Sequence, residues 1–380
     1  VSRIVGVKAY GWDWSTEHGL DMAGAARRMV DQKVDWVLAQ NLVDPLPGSA
    51  VDQRPPAGAY GDREWTARLQ DQGLRVYQST ACFFQPDEFA DHVQLRPMDQ
   101  HGMVFEPFSW YVGICPTDPK YLARKAERLG AAVSETQPDG VFLSFLRFPG
   151  FWEMWLPDAE GFTGTRREDI REYCFCERCL GLFSTWSGAD LGTGSISERA
   201  GLILRDLRAQ WTTWKCTVVA DVALALRERV REVIPTADVI VNGFGLGHDD
   251  FGNAVEEVLG HRFAELDRAA DHYELMFYFQ IQKRDPLTWI PERVAEVRRE
   301  TGRTILADLQ AGAEYTDAIY APGRRRQEIT VKDWLDALRG VARSGADGVL
   351  VYSWRDLLAD QASGGERVRR LIEYKSGDLD

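Results

Sequence analysis

The sequence predicts an α/β fold, a (β/α)8 TIM barrel with long βα loops after strands 3, 4 and 7, and three observations predict it. Short runs rich in β-branched and aromatic residues recur eight times along the chain. Each is followed by a stretch with apolar residues at helical spacing, the pattern of βα units around a parallel sheet. An open doubly wound sheet is disfavoured, because Gly243 to Gly247 reads GFGLG without the G-x-G-x-x-G spacing, and no Walker sequence occurs.

Strands are expected at Arg3 to Tyr10, Trp36 to Gln40, Leu74 to Thr80, Gly140 to Leu146, Ala237 to Asn242, Tyr273 to Phe279, Thr304 to Leu309 and Gly348 to Ser353. Helices are expected at Asp21 to Gln32, Arg63 to Gln72, Lys120 to Ser134, Glu198 to Val233, Phe251 to Ala270, Pro291 to Glu300, Val331 to Arg343 and Gly365 to Tyr374. The glycines of GFGLG read as a turn, with Asp249 or Asp250 capping the helix that follows. These eight units make residues 1–380 one barrel domain, with a cysteine-bearing loop subregion around residues 113–185. In such a barrel the active site lies at the carboxyl ends of the strands.

Composition narrows the partners. The chain has 45 basic against 58 acidic residues, a net charge of -13, so it lacks the electrostatic footprint for nucleic acid or an anionic membrane. No run approaches the roughly 18 apolar residues that span a bilayer. Six cysteines are too sparse for a disulfide scaffold, so a cytoplasmic setting is expected. Homo-oligomer formation is left open. The basic run Arg324 to Arg326 reads as a solvated loop and receives no role.

The connections after strands 3, 4 and 7 run to roughly 20 to 50 residues, and long loops in compact domains tend to be functional. They carry Phe83, Phe84, Trp110 and Tyr111; Phe151, Trp152 and Trp155; and Tyr315 and Tyr320. Trp12 and Trp14 after strand 1 and Trp354 after strand 8 join the same face. Aromatic platforms at strand ends suit stacking of sugar rings, although loops packing on themselves use the same residues.

The stretch YCFCERCLGLF places Cys174, Cys176 and Cys179 within six residues. A structural zinc ion takes four soft ligands in a tetrahedron, and close spacing on a turn supplies three at little loop-closure cost. Cys115 in GICPTDPKY is the preferred fourth, since the following proline restricts its backbone, ahead of Cys82. Cys216 lies in a helical pattern and reads as a buried thiol.

CPTDPKY followed by CFCERCLGLF resembles the cysteine pattern of family 42 glycoside hydrolases, β-galactosidases built on a (β/α) barrel. The resemblance implies a structural Zn2+ on Cys115, Cys174, Cys176 and Cys179. The segment DGVFLSFLRFPG is also similar to a wider group of glycoside-hydrolase-like barrels. Together these imply a glycosidase acting on a small saccharide or glycoside.

Glycoside hydrolysis needs two carboxyl groups flanking the bond. Asp308 ends strand 7, and Glu153 follows strand 4 between aromatic residues that raise a carboxyl pKa. These two are the expected catalytic pair. Asp13, Glu314 and Asp356 are further candidates around the substrate, each with a helix cap or an arginine partner as the alternative account. Ser144 stands where the wider group commonly has aspartate, and the family 42 Asn-Glu pair at that strand end is missing; Arg147 is retained and suits orientation of a carboxylate or a substrate oxygen. With Trp12, Trp152 and Trp354, these residues form the expected substrate site. A sugar-processing lyase or isomerase relying on Lys8 or Lys283, and a barrel that binds carbohydrate without turnover, are the rival readings. His248 with Asp249 and Asp250 reads as a polar helix start, with contact to a ligand or hard cation as its rival.

Overall fold

The computed structural model describes residues 3–47, 58, 60–159 and 166–379. Eight parallel strands pair in chain order: β1 (Ile4–Ala9), β2 (Trp36–Ala39), β3 (Arg75–Ala81), β4 (Gly140–Ser144), β5 (Asp238–Phe244), β6 (His272–Phe277), β7 (Thr304–Gln310) and β8 (Gly348–Tyr352). β8 returns to β1 with Ile4 opposite Gly348 and Val7 opposite Val351, which closes the barrel and removes the sheet edges.

Strand alternation divides the apolar residues into two cores. Trp36, Leu38, Tyr77, Phe142, Ile240, Leu306 and Leu350 fill the barrel interior. The intervening positions, such as Val5, Val37, Val141 and Val349, pack against the helices. Both strand faces are therefore buried, which is why the strands read as nearly continuous apolar runs.

Helix boundaries differ from the sequence expectation where local signals compete with periodicity. The stretch Glu198 to Val233 contains parts of two helices, Ile196–Asp206 and Arg208–Val233, with Leu207 at φ -125° and ψ 14° between them. Ser195 and Glu198 form a reciprocal capping box at the first. The single helix expected over Phe251 to Ala270 is instead two short ones, Ala254–Glu257 and Phe263–Leu266. Gly260 between them has φ +73°, and a Cβ there would lie 3.0 Å from Lys215 O.

The helix expected from Pro291 begins earlier, at Pro286, where Asp285 accepts a hydrogen bond from the Leu287 amide. Neither Asp249 nor Asp250 acts as the expected cap. Asp250 instead accepts from the Gly247 amide at 2.7 Å and pairs with Arg284. A helix absent from the sequence expectation, Trp354–Ala362, follows β8 and starts with a Ser353 and Asp356 capping box. Arg325 is not a solvated loop residue: it is buried, lies over the Tyr320 ring at 3.8 Å and donates to Pro157 O at 2.7 Å.

Candidate active site and thiol centre

A polar layer lies above the apolar barrel filling. Lys8 on β1 donates to Asp308 Oδ2 on β7 at 2.6 Å and to Glu274 Oε1 on β6 at 2.9 Å. Asn242 on β5 donates to the other Glu274 oxygen, and the Tyr278 hydroxyl donates to Asp308 Oδ2 at 2.9 Å. The Lys8 ammonium also lies 5.3 Å from the centre of the Phe142 ring. Burial disfavours the Lys8 charge, but Asp308 and Glu274 more than offset this and its pKa is raised. Burial raises the Asp308 carboxyl well above its ordinary range; Lys8 opposes the rise and Glu274 adds to it.

Asp308 is thus held by one oxygen. Oδ1 is buried without a hydrogen-bond partner. Glu274, Asn242 and Tyr278 are members of this cluster that the sequence reading missed. The signal for Glu274 was present as a lone acid inside the apolar strand HYELMF. What it paired with depended on barrel closure.

Glu153 lies in the short turn Trp152–Trp155 beyond β4. Burial raises its carboxyl to about 7, with the Arg147 guanidinium pulling the other way. Glu153 Oε2 has no hydrogen-bond partner, and neither does Arg147 Nε. Arg147 is enclosed by Tyr111, Phe145 and Phe244, with its guanidinium 5.1 to 5.8 Å from the ring centres.

Glu314 follows β7, and its amide donates to Gln280 Oε1 at 3.2 Å. Its carboxyl is also raised to about 7, by burial first and then by Asp356. Tyr315 connects the two glutamates: burial raises its phenol, and Glu153 and Glu314 both raise it further. The half-exposed Trp110 lies parallel to Tyr315, with 6.5 Å between ring centres and 4° between planes. Loops after β3 and β7 therefore meet over the barrel mouth. Phe145 and Tyr315 both have φ +50°, a region costly for bulky side chains and typical of functional sites.

The other expected site residues are placed unequally. Ser144 ends β4, where its hydroxyl donates to Thr80 O at 2.9 Å. Asp13 lies 3.9 Å from Arg355, and burial raises its carboxyl. One Asp356 oxygen accepts from the Ser353 amide and hydroxyl, as a cap does. Trp12 is buried edge-on against Tyr60 at 4.3 Å. Trp152 and Trp354 are each 1 % exposed, and Trp354 donates to Gln32 Oε1, so protein covers their rings. Lys8 belongs to the central cluster, whereas Lys283 pairs with Asp158 near the surface.

The thiols of Cys115, Cys174, Cys176 and Cys179 form one cluster that could hold a metal ion. Cys115 Sγ is 3.5 Å from Cys179 Sγ and 3.8 Å from Cys176 Sγ. Tetrahedral thiolates at about 2.3 Å from an ion stand roughly 3.8 Å apart, so the donor set fits. Hydrogen bonds from the other three thiols hold Cys115 well below the ordinary thiol range. Cys82 and Cys216 lie elsewhere, and burial raises both to about 12.

The closed eight-strand parallel barrel is a fold shared with solved structures. The chain is similar to the PgaB (BpsB) glycoside hydrolase domain from Bordetella bronchiseptica, with 17% identity, a TM-score of 0.68, and coverage of 97% of this chain and 98% of that one. It is also similar to a β-galactosidase from the haloarchaeon Halorubrum lacusprofundi, with 16% identity, a TM-score of 0.64, and coverage of 98% and 57%. A catalytic mutant of Gan42B, a family 42 β-galactosidase from G. stearothermophilus, is 11% identical at a TM-score of 0.65, with coverage of 100% and 56%. The chain thus spans little more than half the length of these two galactosidases. No protein-family model matches the chain, and no curated protein matches it. Among the described residues, no helix is long and apolar enough to cross a membrane.

Proposed function

We propose that the protein is a glycosidase that cleaves a small saccharide or glycoside at the mouth of the barrel. The observation that carries this reading is the Glu153 carboxyl: buried beside aromatic rings, raised to about 7 and with Oε2 unpartnered, it suits protonation of a leaving oxygen. Asp308 supplies the second carboxyl. Lys8 and Tyr278 hold its Oδ2, and the Lys8 charge favours, against the burial that raises this carboxyl, the ionised form that Oδ1 needs to attack an anomeric carbon or activate a water. Arg147 orients substrate oxygens, and Trp110 with Tyr315 forms an aromatic wall for stacking of the sugar.

A second assignment within the same reading pairs Glu153 with Glu314, because both act on Tyr315. Changing Glu153, Asp308 and Glu314 singly to the amide and assaying a panel of aryl glycosides separates these assignments. Each true member lowers kcat by at least about a hundredfold. If no change does so on a glycoside that the wild type cleaves, the two-carboxyl reading fails.

The thiol centre is read as a structural zinc site. Cys115, Cys174, Cys176 and Cys179 would fill all four positions of a tetrahedral ion, so it would cross-link the loops after β3 and β4 and supply no chemistry.

A further inference from the structure

We propose that His248, Glu296 and Glu300 form a divalent-metal site, apart from both the thiols and the barrel centre, that takes a first-row transition ion such as Ni2+ or Zn2+. Glu296 and Glu300 are four residues apart in the helix Pro286–Glu300, and so share one face. They sit at its carboxyl-terminal end, where the helix dipole already disfavours negative charge. Arg293 compensates Glu296, which leaves Glu300 the less compensated of the two. The loop after β5 brings His248 to them.

The imidazole geometry is the specific part. His248 Nδ1 is 3.0 Å from Asn253 Oδ1, an atom that can only accept, so Nδ1 carries a proton and donates. Nε2 then faces Glu300 Oε1 at 3.0 Å and Glu296 Oε1 at 3.8 Å. Either a proton on Nε2 or a metal ion bridges these donors, and their spacing suits the ion. An ion about 2.1 Å from each donor leaves neighbouring donors roughly 3.0 to 3.5 Å apart, and the three atoms all lie within 4.8 Å of one another. A histidine whose second nitrogen is fixed by a carbonyl is the usual arrangement of a metal ligand.

Glu296 Oε1 also accepts from the His248 amide at 3.4 Å, a long bond that leaves its second lone pair free, and the nearby charged groups engage other atoms. Arg293 pairs with Glu296 Oε2 at 2.9 Å, the oxygen turned away from the imidazole. Glu256 lies 3.8 Å from Nδ1 but is engaged by Arg262. Among the described residues, Glu300 has no cationic partner except His248.

Arg293, which pairs with Glu296, has a donor left over for a water or small anion at this place. Arg293 is 5 % exposed, and its buried Nε has no hydrogen-bond partner. It lines, with His248, Glu296 and Glu300, a cavity of about 510 Å³. That cavity has room for the water or small anion that completes the coordination of a three-ligand ion.

The test is calorimetric titration of Ni2+ into the whole chain with its thiol metal in place, beside H248A and E300Q. One Ni2+ per chain is expected, without the strong near-ultraviolet absorption of a nickel thiolate. Each substitution weakens binding by at least about tenfold while melting stays within about 2 °C of wild type. No binding up to about 1 mM Ni2+ overturns the proposal, as does binding unchanged in H248A. If wild type binds no Ni2+ and H248A melts lower, a proton bridges the donors and the metal site is refuted.

Discussion

Lys8 Nζ lies 2.6 Å from Asp308 Oδ2 and 2.9 Å from Glu274 Oε1, with the lysine 4 % exposed and both acids fully buried. One cation is thus shared by two carboxyl groups drawn from neighbouring strands on the far side of the chain. Removing it leaves two acids buried without a counter-charge. K8M is expected to lose about 3 to 5 kcal/mol of stability, read by urea denaturation near neutral pH. A loss below about 0.5 kcal/mol would show that the cluster does not depend on the lysine.

The Glu153 carboxyl rises from 4.5 to about 7 on folding. Between these values the folded state holds a proton that the unfolded state has released, so stability falls as pH rises through the window. E153Q removes the ionisable group and should flatten that part of the profile. Denaturation midpoints of wild type and E153Q from about pH 4 to 8 provide the check, and parallel curves would contradict the burial argument.

If Glu153 is the general acid, activity should decline on the alkaline side with an apparent pKa of about 7 for kcat/KM in the free enzyme. Solvent access on substrate binding does not alter that quantity. A kcat/KM profile still flat beyond about pH 9 would assign the proton donor elsewhere.

Trp110 and Tyr315 lie parallel at the mouth of the barrel. Trp110 touches none of the proposed catalytic carboxyls in the described contacts, so W110A should act on binding. Its KM is expected to rise about three- to tenfold with kcat little changed. A fall in kcat at constant KM would instead place the ring in transition-state positioning.

The thiol centre predicts a metal-dependent fold. Protein purified without chelator should contain one tetrahedral ion, and its removal should lower the melting temperature by at least about 5 °C. C179S should match the metal-free protein, because three thiols hold the ion poorly. Equal melting with and without metal would leave the cysteines as ordinary buried thiols.

The number and order of strands were legible because each parallel strand is buried on both faces, which writes an apolar run such as IVGV or GVLV into the chain. The cysteine cluster was legible for a different reason: C-x-C-x-x-C is a local spacing, and local geometry constrains its donors. Asp308 and Glu153 could be named as acids next to strand ends, but their surroundings could not. Lys8 reaches Asp308 and Glu274 only because closure of β1 onto β8 brings it into one layer with β6 and β7, where Tyr278 and Asn242 join from the neighbouring elements. Trp152 and Trp354 show the converse, since their positions beyond strands were plain in the chain while the covering of their rings by protein was not.

The sequence by itself determined the barrel and the thiol spacing, because both arise from residues close together or from a repeating pattern of burial. Tertiary structure alone decided which buried charges share a cation, that Trp110 meets Tyr315, and that His248 faces Glu296 and Glu300. Those contacts join residues tens to hundreds of positions apart. Their energies depend on burial and distance, neither of which a linear chain specifies before it closes.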